Sequence, residues 1–254
     1  EFIELAKKFD MMAATIQQLI DRQQNLFHSV SHELRSPLAR INCAVELARR
    51  SPDITPKMLD RIESDVQKLD SLVGDLLTYT RLNAEVSIPF SEIDISEIVE
   101  DIADNASLEG AARKVQVVCD LPKDDLIMTG NADLLAHAIE NVVRNALRFS
   151  PDGGKVTIHG GMVSDSSLQI SIQDEGPGIP PEEMAKIFDP FFRGANQATG
   201  SGYGLGLPIT MQAAQHHGGM VQAEKIRPHG LKITITLPLK HTGKSEKALS
   251  LIHI

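Results

Sequence analysis

The chain has no tryptophan, and aromatic residues make up only 4% of it. It has only two cysteines, Cys43 and Cys119, and their spacing suits neither a disulfide framework nor a cysteine-built metal site. So few thiols fit a reducing compartment. No apolar run reaches the roughly 18 residues that a membrane-spanning helix needs, and no signal-peptide pattern opens the sequence. An excess of positive charge is lacking too: Lys and Arg number 25 against 34 Asp and Glu, for a net charge of −9. That balance argues against a general nucleic-acid binder. What is present is ordinary for a globular protein, with 42% hydrophobic and 23% charged residues. A length of 254 residues leaves room for one large or two ordinary domains.

The first half reads as two long helices. Leu5, Phe9, Met12, Ile16, Leu19, Gln23, Leu26 and Val30 alternate steps of four and three, a coiled-coil seam. Met11 and Met12 are read as part of that core. Leu26, Val30, Leu34 and Leu38 then run by fours before Ile41, Val45 and Ala48 resume the pattern, a stutter that relaxes supercoiling. Pro37 falls in this stretch and predicts a bend, because it removes a helical hydrogen bond. Thr55 is the expected N-cap of the second helix, with Pro56 as its first residue. Leu59, Ile62, Val66, Leu69, Val73 and Leu76 form its apolar stripe, to about Arg81. The short Ser51–Ile54 connection makes an antiparallel hairpin with its stripe half covered. A symmetric homodimer would close it into a four-helix bundle.

Residues 85–92 read as a linker and the start of a strand. Beyond Ile93 the pattern predicts helices at about 96–112, 132–148 and 205–217. Strands are predicted at about 115–120, 125–130, 155–160, 167–174, 219–225 and 230–237, with a glycine-rich loop between Asp189 and Gly204. The fold class is an α+β sandwich, its sheet covered by helices on one face. The tail from His241 to Ile254 is expected to be disordered.

Four clusters carry chemistry. In Ser31-His32-Glu33-Leu34-Arg35-Ser36-Pro37-Leu38, His32 falls outside the seam of Val30, Leu34 and Leu38. Its ring is free to face solvent, and a neutral imidazole is a competent nucleophile toward phosphorus. Glu33, also off the seam, is placed to hydrogen-bond the ring or accept its proton. Taken alone, a solvent-facing His-Glu pair is mundane. In the second cluster, Asn141, Asn145 and Arg148 share one helix face. Two carboxamide oxygens and a cation suit Mg²⁺ and phosphate, while Val142, Val143, Ala146 and Leu147 supply the core face. The third, Asp174-Glu-Gly176-Pro-Gly178-Ile179, puts an acid at a strand end before glycines that admit a ligand to the backbone. A carboxylate accepting from an exocyclic amine would select adenine; by itself the cluster reads equally as an ordinary turn. The fourth is Gly200-Ser-Gly202-Tyr-Gly204-Leu-Gly206-Leu207, which leads into a helix whose N–H groups can cradle phosphate. No strand immediately precedes it and no Gly-Lys-Ser/Thr follows, which excludes Rossmann and Walker loops.

In this order the clusters resemble the boxes of sensor histidine kinases of two-component systems. Ser31–Leu38 resembles the H box, Glu140–Ser150 the N box and Asp174–Gly178 the first glycine box. Phe188-Asp-Pro-Phe-Phe192 resembles the F box and Gly202–Leu207 the second glycine box. Each is weak alone; five in order, over about residues 23 to 238, are specific. The run from Glu140 to Ser150 also resembles the Cpx-type envelope-stress branch. The resemblance implies the end of a HAMP-type linker helix over 1–22, around Glu4-Leu5-Ala6. It implies a dimerisation and phosphotransfer domain over 23–85 and a Bergerat-fold ATP-binding domain over 86–240.

On that resemblance His32 takes the phosphoryl group, Glu33 assists, and Asn145 with Asn141 holds Mg²⁺-ATP. Arg148 stands where Lys is commoner at the phosphates, Phe149 covers the nucleotide, and Asp174 accepts from adenine. Gly176, Gly178, Ile179, Gly202, Gly204, Leu205, Gly206 and Leu207 shape the pocket and its lid. The implied partners are a second copy and a response-regulator receiver domain, with no nucleic acid. The implied setting is the cytoplasmic portion of a bacterial inner-membrane protein. Two departures stand out. Ser36 replaces the usual Thr or Asn that positions water for phosphatase action, and Tyr203 sits between glycines of the lid. His28, His216 and His217 read as surface or packing histidines. Rival readings are a degenerate, non-catalytic kinase, an ATPase of the chaperone or topoisomerase kind, and a coiled-coil adaptor. The intact His32, Asn145 and Asp174 weigh against the first, the H box against the second, and the nucleotide motifs against the third.

Overall fold

A computed structural model describes residues 2–84, 88–122, 126–194 and 202–240. The tail expected to be disordered, and Gly200 and Ser201 of the glycine-rich loop, lie outside the described residues. The chain divides into two compact units, residues 1–76 and 77–254.

The first unit is built from helix α1 (Phe2–Arg50), a 3₁₀ turn (Pro52–Ile54) and most of helix α2 (Thr55–Asn83). Helix α1 continues through Pro37, which is buried. The packing covers only part of the predicted stripes, as a single hairpin should. Pro37 and Ala44 lie inside, whereas Leu38, placed in the seam by its spacing, is 50% exposed. On α2 the single predicted stripe splits in two. Ile62, Leu69 and Leu76 are partly covered, beside the fully buried Leu72 and the buried Asp65. Leu59, Val66 and Val73 turn outward, Val66 being 49% and Val73 45% exposed. A heptad pattern is satisfied by two neighbouring faces of one helix, and periodicity alone does not say which face meets which partner. Thr55 does not cap α2 by its side chain. Its hydroxyl donates back to the carbonyls of Ala48 and Ser51, at 3.1 and 3.4 Å, tying the turn to the end of α1.

The second unit follows the predicted order closely: β1 (Ser91–Asp94), α3 (Ile95–Ala111), β2 (Gln116–Asp120), β3 (Ile127–Gly130) and α4 (Ala132–Phe149). Then come β4 (Lys155–Ser164), β5 (Ser167–Gln173), a 3₁₀ turn (Met184–Lys186), α5 (Gly206–His216), β6 (Met220–Lys225) and β7 (Leu231–Pro238). Strands β1 and β3 pair in a small antiparallel sheet. The main sheet runs β2-β4-β5-β7-β6, with β2 parallel to β4 and the remaining pairs antiparallel. Alternation selects the faces. Val156, Ile158, Leu168, Ile170, Ile172, Ile233, Ile235 and Leu237 are buried in one core with α3 and α4. Local caps start both helices: Asp94 accepts from the Ser96 N–H at 2.8 Å and Asn131 from the Leu134 N–H at 2.9 Å. Helix α4 ends at Phe149, just ahead of Ser150-Pro151, where the residue before a proline leaves the helical region.

Candidate functional site

In the hairpin unit, His32 is exposed on α1, one turn from the exposed His28, their rings 6.2 Å apart. Glu33, predicted off the seam, is half-buried. Ser36 is exposed one turn beyond His32. Its hydroxyl accepts a 2.8 Å hydrogen bond from the Arg40 guanidinium. Arg40 in turn grips the carboxylate of Asp65 on α2, with three N···O contacts of 3.0 to 3.3 Å. Asp65 is buried, and hydrogen bonding to Arg40 holds its carboxyl below the ordinary value.

In the second unit the other motifs gather around one face of α4. Val142, Val143, Ala146 and Leu147 are buried in the core, which turns Asn141, Asn145 and Arg148 the other way. A side chain at Gly206, the first residue of α5, would press on the Asn141 carboxamide at 3.3 Å. Thr210 of α5 fixes this approach by donating to the Ala138 carbonyl of α4 at 2.9 Å. Gly202 has φ +134°, and any Cβ there would collide with the Arg148 guanidinium. That guanidinium lies 4.9 Å over the Phe149 ring, a cation–π arrangement. Burial, then the neighbouring Arg193, lowers its proton affinity.

Asp174 lies at the end of β5 and is buried. Its Oδ1 accepts from the Gly176 N–H at 2.8 Å and the Leu231 N–H at 3.2 Å. Burial raises its pKa, opposed by those two bonds. Neither bond uses Oδ2. Gly176 sits so close to the Phe149 carbonyl that a Cβ would lie 2.7 Å from it, which joins the end of β5 to the end of α4. Gly178, at φ +71°, packs its α-carbon against Gly230. Gly204, also at φ +71°, packs against Phe191 and Phe192, and its carbonyl accepts from the Phe191 N–H at 2.9 Å. The side chain of Leu205 is wholly buried, and Ile179 and Leu207 pack on the core.

The donor set suits a magnesium nucleotide. The Asn141 amide nitrogen is buried without a partner among the described residues, an orphan that a ligand would satisfy. Carboxamides and a guanidinium on one face match hard-cation and phosphate chemistry. No cluster of three His, Cys, Asp or Glu side chains competes for a metal among the described residues.

Residues 22–85 match the family described as "His Kinase A (phospho-acceptor) domain". Residues 130–241 match "Histidine kinase-, DNA gyrase B-, and HSP90-like ATPase". The chain belongs to the sensor histidine kinases. It is 35% identical over 241 residues to the sensor histidine kinase CpxA of Escherichia coli (strain K12), covering 94% of the chain and 52% of CpxA. The chain thus spans about half the length of that relative. The mycobacterial sensor histidine kinase MprB superposes with a TM-score of 0.55 at 28% identity, over 59% of this chain and 99% of that one. Histidine kinase ThkA, solved in complex with response regulator protein TrrA, shares the fold with a TM-score of 0.69 at 22% identity, over 85% and 61% of the two chains.

Sequence reading missed several supports. Arg113 caps the end of α4 by donating to the carbonyls of Leu147 and Ser150, at 2.9 and 2.6 Å, while pairing with Asp152. Gly230, at φ +120°, lets β7 close on the Asp174 carbonyl, where any Cβ would collide. His217 is a packing residue, as read. It is buried, stacked on Phe90 at 4.6 Å, and accepts from the Asn131 N–H at 3.0 Å. His216 is no loose surface group, since its Nε2 bonds the Leu82 carbonyl at 2.6 Å. The Arg40–Asp65 pair had no sequence signal beyond opposite charges 25 residues apart.

Proposed function

We propose that this chain transfers the γ-phosphoryl group of ATP to His32 and passes it to an aspartate of a response-regulator receiver domain. It acts as a homodimer and also dephosphorylates that regulator. The observation that carries the reading is the exposed His32 on a phospho-acceptor helix, in one chain with an ATPase-family fold that gathers Asn141, Arg148 and Gly202 at one place. An imidazole nitrogen of His32 attacks phosphorus, a new N–P bond forms, and the bond to ADP breaks. Glu33 orients the ring and takes its proton. Asn141 and Asn145 would hold Mg²⁺, which when bound offsets charge on the phosphates. Arg148 meets phosphate oxygens, Phe149 covers the base, and Asp174 accepts from the adenine amine. Backbone at Gly176, Gly178, Gly202, Gly204 and Gly206 admits the nucleotide without side-chain obstruction.

The regulator as partner is supported by the complex of ThkA with TrrA, and dimerisation by the outward stripe of Leu59, Val66 and Val73. We assign residues 23–85 to phosphotransfer and dimerisation and 86–240 to ATP binding. Residues 1–22 we assign to the end of a HAMP-type linker, and from Phe2 onward they lie on α1. Similarity to CpxA supports a membrane-anchored parent in the bacterial inner membrane, with this portion in the cytoplasm. Among the described residues no helix is long and apolar enough to cross a membrane.

The test is labelling with γ-labelled ATP. Wild type should give an acid-labile, alkali-stable phosphoprotein, and His32→Ala should give none while keeping its helicity. Labelling of His32→Ala at the wild-type level, through His28 or elsewhere, rejects the assignment.

A further inference from the structure

A serine in a helix ordinarily returns its proton to the carbonyl one turn back. Thr15, Ser31 and Ser107 do so here, each at 2.8 Å from the i−4 carbonyl. Ser36 does not. Its oxygen instead receives the Arg40 Nη1 at 2.8 Å, and no bond runs from Ser36 to the His32 carbonyl. Guanidinium only donates, so it occupies one hydroxyl lone pair and leaves Ser36 an outward O–H and a second lone pair. Arg40 has its own anchor. The side chain of Asp65 is 4% exposed against 39% for Arg40, and it takes both Nε and Nη2 of the guanidinium, leaving Nη1 for Ser36. Lys68, 3.7 Å from Asp65 on the same helix, adds a second positive charge. The chain Asp65–Arg40–Ser36 thus runs from the interior of the hairpin to an exposed hydroxyl one turn from His32.

We propose that Arg40, anchored by Asp65, is a positioning residue for regulator dephosphorylation, holding the Ser36 hydroxyl away from the helix backbone and directed at the attacking water. The inference rests on the phosphatase reading above. In the step concerned, a water oxygen bonds to phosphorus of the regulator's aspartyl phosphate. The P–O bond to the aspartate breaks, the carboxylate leaves, inorganic phosphate forms, and the water's proton passes to solvent. Ser36 orients that water. Arg40 touches neither water nor phosphate. Autophosphorylation of His32 uses no such water, so the device serves one of the two activities.

The experiment uses the whole chain and the receiver domain that it phosphorylates fastest in a panel of receivers. Autophosphorylation and dephosphorylation of the labelled receiver are measured on the same preparations. Removing Arg40 alone strands the Asp65 carboxylate, so the principal variant replaces both, Arg40→Met with Asp65→Leu, an apolar pair of similar volume. Dephosphorylation should slow by about tenfold to a hundredfold, the scale of a misplaced reacting group, with His32 labelling within about threefold of wild type. Adding Ser36→Ala to the pair should slow it little further, because residues acting as one unit are not additive. If Ser36→Ala slows dephosphorylation but the paired variant does not, the positioning role is overturned and the phosphatase reading stands. If Ser36→Ala leaves dephosphorylation unchanged, the positioning role is overturned; if wild type does not accelerate loss of label from the receiver at all, the phosphatase reading itself fails. Parallel loss of both activities in the paired variant would overturn the proposal in favour of a purely structural ion pair.

Discussion

The hairpin and the sheet-containing unit solve the burial problem differently. The sheet unit closes its own core: Val156, Ile158, Leu168, Ile170 and Leu237 are wholly buried within a single chain. The hairpin does not. Leu38, Leu59, Val66 and Val73 remain outside, and so do Leu5, Phe9, Met12 and Ile16 along the first part of α1. Two helices in contact cover only one stripe each, whereas a sheet flanked by helices covers a whole face. The ATP-binding fold is therefore complete in one copy, and the phospho-acceptor hairpin asks for another.

The largest expected effect breaks the hairpin side of this contrast. Val66→Asp with Val73→Asp places unpaired charges on the outward stripe, where burial in a dimer would be costly. Sedimentation should show a monomer with little His32 labelling, while ADP affinity stays at the wild-type level. A variant that remains dimeric would reject the outward stripe as the interface. Leu69, marked by periodicity as equally suitable, faces partly inward and would confound assembly with folding of the hairpin.

The converse break is in the sheet. Ile170→Ala should cost about 2–5 kcal/mol of unfolding free energy, because it opens a cavity in a core that has no second copy to refill it. Denaturant melts should show this loss to be independent of protein concentration. A concentration-dependent loss would mean that the sheet unit also relies on a partner.

Next in size is the nucleotide site. Asp174→Asn should weaken ADP by about 1.5–3 kcal/mol, the worth of a hydrogen bond to a charged acceptor. Titration calorimetry reads this directly, and unchanged affinity would count against adenine recognition by Asp174. Because burial raises the Asp174 pKa, the charged form is lost earlier than usual on acidification, so ADP binding should weaken as pH falls towards the carboxylate range.

The smallest effect concerns the buried acid of the hairpin. Arg40 holds the Asp65 carboxyl below its ordinary value of 3.8, so the unfolded chain takes up this proton first as pH falls. The stabilisation is complete above the unfolded value and is lost as pH drops through the lower folded one. Helical circular dichroism under acid titration should show a shallower acid loss for Asp65→Asn than for wild type. Equal slopes would show that the pair contributes nothing to folding.

By itself the sequence determined the helical hairpin, the order of the sheet unit's elements, and the clustering of chemistry on an off-seam histidine, an N box and glycine loops. Those features are written in local terms: periods of 3.5 and 2, caps such as Asn131, and glycines where φ is positive. Only the tertiary structure decided which of two adjacent stripes on α2 packs inward, since Ile62 and Val66 satisfy the same heptad. It also decided that Pro37 is buried while Leu38 is not, and that the Thr55 hydroxyl bonds backward to the end of α1. It alone brought Asn141 to Gly206, Arg148 to Gly202 and Gly230 beneath Asp174. The Arg40–Asp65 pair belongs there too, because a contact between residues 25 apart depends on how two helices rotate against each other. No local pattern encodes that rotation; it is set by the summed packing of both faces.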